Sequence, residues 1–376
     1  MKSLSNRPRI GIDFHTFDGI FQGSRSHILG LYKEAISLAP DLQFVFFLDN
    51  TAALRAEDPA FSAANVELVS MPHSGGLKRL GWQLARLRRQ YTIDLLHVQY
   101  RLPFLAAGPC ACTIHDVLFE THPQFFTPSF VRMSKFTGRL AARNAALIFT
   151  VSDYSRSEIA RLYELNESRI EVTTNGVDNA RFYPGTDGIE HIHAQNLVSG
   201  EYLCTVGRLE PRKNHINLLR AYALLEAPRP PLVVVGQRDE GSEPIFEELR
   251  KLKLENEVVF LQNISDQGIP ALIRHARIFV YPSFAEGFGM PIAEAMASGV
   301  PVVTSNLTAL PEVAGDAALT ADPDRPEDIA RAIQSLLDDS AACAGLRTLG
   351  VAQAAKFNWK IAASTLVDSY RRYFSS

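Results

Sequence analysis

Apolar residues fall in short runs along this chain, and the segments between them carry helical spacing. Runs at 9–14, 43–48, 66–70 and 94–98 read as strands, and a run from Ala111 ending in His115-Asp116, then 146–151 and 170–174, continues the series. Between them, 24–38 and 77–90 place apolar residues every three to four positions, the period of a helix with one buried face. The alternation restarts at 202–206 and goes on through 232–236, 257–261, 278–281 and 301–304. Strand–helix order of this kind predicts parallel sheets covered by helices on both faces. The break between the two series lies at Asn175-Gly176-Val177-Asp178, a turn-forming string. A loop-like stretch with Pro184, Gly185 and Gly188 follows at 181–200 and reads as a linker. The pattern therefore predicts an α/β chain of two Rossmann-like doubly wound domains, 1–180 and 181–357. A last helix over 358–376 carries Trp359, Leu366, Val367 and Tyr370 on one face.

Composition narrows the class. With 376 residues the chain is long enough for two ordinary cores. An apolar content of 46% and a charged content of 21% are those of a globular protein. The net charge of −3 argues against nucleic acid as the main partner. Through Ala180 there are 19 Lys and Arg against 17 Asp and Glu, and beyond it 19 against 24, so the first half is the more basic. Cys110, Cys112, Cys204 and Cys343 fit no zinc spacing and read as free thiols of a reducing compartment. No apolar leader precedes the first strand and no stretch reaches membrane-spanning length, so the expected location is cytoplasmic.

The densest chemistry lies at 281–303, YPSFAEGFGMPIAEAMASGVPVV. A strand runs into a loop with Gly287 and Gly289, and a helix starts near Pro291, a residue preorganised for the first helical turn. The unpaired N–H groups of that turn face whatever sits above the loop. Glu286 and Glu294 frame it. On one continuous helix they would stand ~12 Å apart, beyond the roughly 5–9.5 Å of a hydrolase acid–base pair. Two carboxylates so placed hold different parts of one long polar ligand. A second constellation is GRLEPRKNHINLLRAY after the 202–206 strand. Gly207 permits close approach, Arg208 and Lys213 bring positive charge, and a helix begins near Asn214, which together make an anion site. Gly19 and Gly23 lie in the first strand-to-helix turn, where α/β sheets bind ligands. Asp322-Pro323-Asp324 spells a D-x-D, but it precedes a helix and reads as a capping turn rather than a metal site. The helices around LKRLGWQLARLRRQ and FVRMSKFTGRLAARNA are basic and amphipathic, a pattern compatible with contact to an anionic membrane.

EGFGMPIAE followed by AMASGVPVV resembles the signature of the retaining GT-B glycosyltransferases, most closely the large fourth family with its bacterial mannosyl- and glucosyltransferases. His-Asp at 115–116, N-G-V-D at 175–178 and G-R-x(4)-K at 207–213 occur in the family's order, although the usual adjacent Gly-Gly of the first loop is absent. The resemblance implies two domains facing a central cleft, the first (with 358–376 packed back on it) for the acceptor and the second for the nucleotide-sugar donor. It implies that Arg208 and Lys213 hold the diphosphate, Glu286 the sugar hydroxyls and Glu294 the ribose, with His115 near the reacting carbon. Gly19, Gly23 and Gly207 would lie near the phosphates, and Phe288, Gly289, Met290 and Pro291 would form the loop under the donor. Asn263 and Ile264 would meet the base through backbone groups. The expected activity is retaining hexosyl transfer without metal or further cofactor, best read as mannose from GDP-mannose to a lipid-linked saccharide in bacterial polysaccharide or lipopolysaccharide assembly. A UDP-sugar-dependent glucosyl- or galactosyltransferase and a nucleotide-sugar epimerase remain the alternatives.

Overall fold

The computed structural model describes residues 7–18, 23–104, 108–239 and 241–376. The chain forms two compact units, Met1–Gly176 with Asn358–Ser376, and Val177–Phe357. The break falls at 176/177, four residues before the 180/181 position of the sequence pattern.

The first unit holds a parallel sheet of β1 (Arg9–Asp13), β2 (Gln43–Leu48), β3 (Val66–Ser70), β4 (Leu95–Gln99), β5 (Cys110–Thr113), β6 (Leu147–Thr150) and β7 (Ile170–Val172). Their order is β3-β2-β1-β4-β5-β6-β7, so the winding reverses between β1 and β4. On one face the helix Gly23–Leu38 lies beside the terminal helix Trp359–Ser375. Ile10, Ile12, Phe14, Phe46, Leu366 and Tyr370 share that core. Two glycines seat Trp359: a Cβ on Gly30 would lie 2.4 Å from its indole, and one on Gly176 would lie 2.5 Å away. Tyr370 Oη also reaches His97 Nδ1 at 2.6 Å and Tyr32 Oη at 2.7 Å. The last helix is thus keyed into the first sheet by an aromatic and by buried hydroxyls.

The 77–90 pattern does not form one regular helix. Gly76–Lys78 and Leu84–Gln90 are α-helical, and Arg79–Gln83 between them is a π-turn. Such turns insert a residue and re-aim side chains. Here Arg79 reaches the buried carboxylate of Asp13 at the end of β1. Arg88 is also turned inward, donating to Pro109 O at 2.8 Å and Asp94 O at 2.9 Å. Of the five cations of 77–90 (Lys78, Arg79, Arg86, Arg88 and Arg89), Arg79 and Arg88 are therefore spent inside the unit and leave the basic face.

The second unit has β8 (Leu203–Val206), β9 (Leu232–Val235), β10 (Val258–Leu261), β11 (Ile278–Tyr281), β12 (Val302–Ser305) and β13 (Leu319–Ala321). All pair in parallel, in the order β10-β9-β8-β11-β12-β13, and the winding reverses between β8 and β11. Leu203, Leu218, Tyr222, Val234, Val280 and Ile333 are among its fully buried residues. Stretch 181–200 is no open linker. It carries a short helix, Ile189–His193, and the Arg274 guanidinium clasps it by the carbonyls of Tyr183, Asp187 and Arg181 at 2.9, 3.0 and 2.7 Å. Composition alone hides this, because the anchoring residue is far away in sequence.

Candidate functional site

In the second unit the loops after five strands supply one polar group. Ligands of open α/β sheets bind beyond the carboxyl ends of the strands, where the winding reverses. Gly207 and Arg208 follow β8 and Glu286 follows β11, so the two sequence constellations meet at that reversal. Lys213 does not sit on the helix. It ends a 3-10 turn, Pro211–Lys213, and Asn214 with φ +61 turns the chain into the helix His215–Ala223. Asn214 Nδ2 secures the turn on Pro282 O and Pro323 O at 3.0 and 2.7 Å.

The turn presents two cations to one carboxylate. Lys213 Nζ lies 2.7 Å from Glu286 Oε1 and 2.5 Å from Tyr281 Oη, and Tyr281 Oη donates to the same Oε1 at 2.9 Å. Arg212 Nη1 lies 2.8 Å from Glu286 Oε2 and donates to Ala285 O at 2.6 Å, while Nη2 meets Glu210 Oε1 at 2.6 Å. Burial alone would raise the Glu286 carboxyl, but Arg212 and Lys213 outweigh it and hold it at about 2. Burial pulls the Lys213 ammonium down, partly opposed by Glu286. An ammonium has three donors; two of those of Lys213 are taken here, and one is left. The Glu286 main-chain N–H donates to Thr308 Oγ1 at 3.0 Å, fixing the loop.

Arg208 is arranged differently. Its side chain is 45% exposed and meets Asp239 at 2.9 Å, not Glu210. An exposed pair of this kind is worth about 0–1 kcal/mol, so an anion displaces Asp239 at little cost. Gly207 has only ordinary contacts to make: an added Cβ would meet the Lys213 stem at 3.6 Å. Its neighbour Gly236 is the sterically required one, since a Cβ there would fall 1.8 Å from Gly207 O.

The helix after Glu286 runs Met290–Ala297, with Gly289 as its N-cap at φ +102. A side chain there would be strained and would press on Leu310. Among the described residues, the N–H groups of Phe288, Gly289 and Met290 find no backbone acceptor. Pro291 has no N–H to offer; it fixes the first turn. The Phe288 ring turns away and packs edge-on against Phe357, centroids 5.2 Å apart. Glu294 is half-buried, and its carboxylate has no hydrogen-bond partner among the described residues. Burial pushes it up to about 7, against the pull of Arg181. After β10, Asn263 has φ +55 and its Oδ1 accepts from Gln237 Nε2 at 3.0 Å. Ile264 packs on the start of the next helix, where a Cβ on Gly268 would approach it to 2.7 Å. In the D-x-D string, Asp322 Oδ1 accepts the Asp324 N–H at 3.0 Å and closes a turn.

In the first unit, His115 follows β5 and is buried. Its Nε2 lies 2.8 Å from Gln99 Oε1, and Gln99 Nε2 donates to Thr16 Oγ1 at 3.1 Å. In that orientation of the amide, Nε2 carries the proton and Nδ1 the lone pair. Burial, aided by His27 and His97, holds the ring well below the usual histidine range, so it is neutral. Neutral His115 can accept a hydrogen bond at Nδ1 but brings no charge. Asp116 Oδ1 accepts the Leu118 N–H at 3.1 Å and closes the turn. Gly23 opens the helix Gly23–Leu38, and Gly19 lies outside the described residues.

Comparison with known proteins accounts for both units. Residues 23–181 match the model described as Glycosyltransferase Family 4, and 189–349 match Glycosyl transferases group 1. O-antigen chain mannosyltransferase B of Escherichia coli is 39% identical over 266 residues, covering 69% of each chain. The chain belongs to glycosyltransferase family 4. Sucrose-phosphate synthase from Thermosynechococcus elongatus has the same fold, with a TM-score of 0.78, 21% identity and coverage of 98% of this chain and 100% of that one. Anabaena HepE, solved with UDP-glucose, gives 0.76 at 20% identity over 97% and 99%. The fold is therefore GT-B, and this family 4 glycosyltransferase carries its motif residues on two parallel sheets.

Several residues escaped the sequence reading. Arg212 stands between the two cations of G-R-x(4)-K and was not counted, although E-P-R-K shows a third positive charge. Tyr281 read only as the last strand residue. Asp13, His15 and Arg79 form a further polar group at the β1 end, with His15 Nδ1 3.0 Å from Asp13 Oδ1. Only the π-turn brings its arginine there.

Proposed function

We propose that this glycosyltransferase moves mannose from GDP-mannose, with retention at the anomeric carbon, to a lipid-linked saccharide in bacterial polysaccharide assembly. The observation that carries transfer from a nucleotide sugar is the 2.7 Å contact of Lys213 with Glu286, which unites the cation loop after β8 with the carboxylate loop after β11. Mannose is supported by the likeness to the E. coli O-antigen mannosyltransferase.

As the bond from the anomeric carbon to the diphosphate oxygen breaks, the electron pair leaves with that oxygen. Arg208, once it leaves Asp239, and the remaining N–H of Lys213 stabilise it, as do the N–H groups at 288–290, which the loop holds preorganised. Two side-chain cations thus supply the positive charge, and we read the reaction as needing no metal. The acceptor hydroxyl attacks from the face the diphosphate leaves, and its proton passes to the departing phosphate oxygen. Glu286, with most of its lone pairs occupied, has room for a sugar hydroxyl. His115 Nδ1 accepts from another. Gly207 leaves space for the phosphates. Backbone groups of Asn263 and Ile264 serve the base.

Glu294 makes this reading testable through pH. A ribose hydroxyl donates to a carboxylate, and in the free protein that carboxyl has its midpoint at about 7. A carboxyl raised in the fold favours its protonated form, so nucleotide binding must expel the proton below the midpoint. GDP affinity is expected to be constant above pH 7 and to fall up to about tenfold per unit below it. Glu294→Gln binds more weakly at pH 8 and shows no such slope. Thermal shift with GDP, UDP and ADP, with and without chelator, checks both parts. A selective, chelator-insensitive rise with GDP supports the donor; a response to UDP alone replaces it, and a response to none removes the phosphate site.

A further inference from the structure

The helix Pro128–Asn144 in the first unit has three faces rather than two. At about 100° per residue, Ser134, Thr137, Gly138, Ala141 and Ala142 form its buried side. Gly138 fixes that side firmly, since a Cβ on it would lie 2.4 Å from Tyr163 Oη. Met133, Phe136 and Leu140 form a second face that points outward, exposed by 47, 70 and 41%, and Phe130 at the start of the helix is exposed by 39%. Arg132, Lys135, Arg139 and Arg143 fill the sector between, and the helix contains no Asp or Glu. An outward stripe of a phenylalanine, a methionine and a leucine, with a second exposed phenylalanine at the helix start, is unusual on a surface and marks an interaction site.

The stripe continues beyond the helix. Arg101 sits over the Phe130 ring at 5.9 Å and donates to Ser134 Oγ at 3.0 Å. Three residues on, the Phe104 N–H donates to Leu80 O at 2.9 Å, so this loop joins the helix to the π-turn segment. Phe104, Trp82 and Leu77 are exposed there by 49, 46 and 80%, with Lys78 over the Trp82 ring.

We infer that this face docks on an anionic lipid bilayer. An apolar stripe flanked by cations lies flat in the headgroup region, its rings buried in the acyl boundary and its charges on the phosphates. Lys135 and Arg139 lie 3.6 and 4.0 Å from Glu120 Oε2, while Arg132 and Arg143 enter no ion pair among the described residues. The charge pattern selects this occupant over a second copy of the chain: a two-fold contact through the same face would set these arginines against their own copies. The inference deepens the reading of a lipid-linked acceptor, because a bilayer-docked first unit meets such an acceptor at the membrane. The 77–90 segment adds Lys78, Arg86 and Arg89 to the basic contact, while Arg79 and Arg88 are turned inward.

Co-sedimentation with vesicles tests it without donor or acceptor. The protein is expected to bind phosphatidylcholine–phosphatidylglycerol vesicles more tightly than phosphatidylcholine alone. Phe136→Ser, at the most exposed position, should weaken that binding about tenfold at any salt concentration. Arg132→Gln with Arg143→Gln should weaken it roughly fivefold per charge at low salt, with the difference fading as salt rises. Nucleotide-induced thermal shifts of these variants should match wild type, so a failed donor reading and a failed docking face give different results. Equal binding to both vesicle types with no effect of Phe136→Ser overturns the inference. So does a concentration-dependent dimer, seen by sedimentation equilibrium, that Phe136→Ser abolishes.

Discussion

Lys213→Ala is expected to lower kcat for sugar transfer by about 10³-fold while the donor KM rises only several-fold. The ammonium has one free N–H, held in place by Glu286 and Tyr281, and its contact with the leaving oxygen strengthens as charge develops there. Loss therefore falls mainly on turnover. Folding is spared because Arg212 still neutralises Glu286 and Tyr281 still donates to it. Steady-state kinetics beside a thermal melt measure both parts. A kcat within threefold of wild type would remove Lys213 from the chemistry.

Arg212→Met has its main effect on stability. The guanidinium commits three of its five N–H groups to Glu286, Glu210 and Ala285 O, so it positions the Glu286 loop. Its loss leaves the buried Glu286 with Lys213 alone and takes the cation from Glu210, so the expected cost lies below the about 3–5 kcal/mol of a fully broken buried pair. The pH sign follows from Glu286. Its folded midpoint of about 2 lies below the ordinary 4.5, so the stability it contributes is complete above pH 4.5 and is lost as pH falls through about 2. That contribution is about 3 kcal/mol. Urea unfolding at neutral and acid pH measures it, and Arg212→Met should lose most of this acid dependence. Unchanged unfolding at neutral pH would mean that Arg212 holds nothing in place.

The sequence displayed what depends on local pattern. Buried parallel strands are continuous apolar runs, so 43–48, 66–70 and 278–281 coincide with β2, β3 and β11 to the residue. The three-residue edge strand β13 has no such run, and the reading passed over it. Spacing identified Glu286, Glu294, Arg208 and Lys213, because Glu286, Arg208 and Lys213 lie in loops with glycine or proline that mark a strand end and Glu294 lies on the helix that the Glu286 loop opens. It could not tell which cation meets Glu286. Arg208 looked equivalent to Lys213, yet it meets Asp239 across two loops, and Arg212 takes the inward place. That choice depends on the 3-10 turn and the left-handed Asn214, which the sequence reading, starting a helix near Asn214, did not foresee. The π-turn at Arg79–Gln83 was hidden for a related reason: apolar spacing of three to four residues accommodates both helix types.

The most direct test is proton NMR of the reaction with GDP-α-mannose, a saccharide acceptor and chelator present. The account predicts a new α-mannosidic anomeric signal appearing one-for-one with released GDP and absent with Lys213→Ala. A β-linked product, or no transfer until a divalent metal is added, would contradict it.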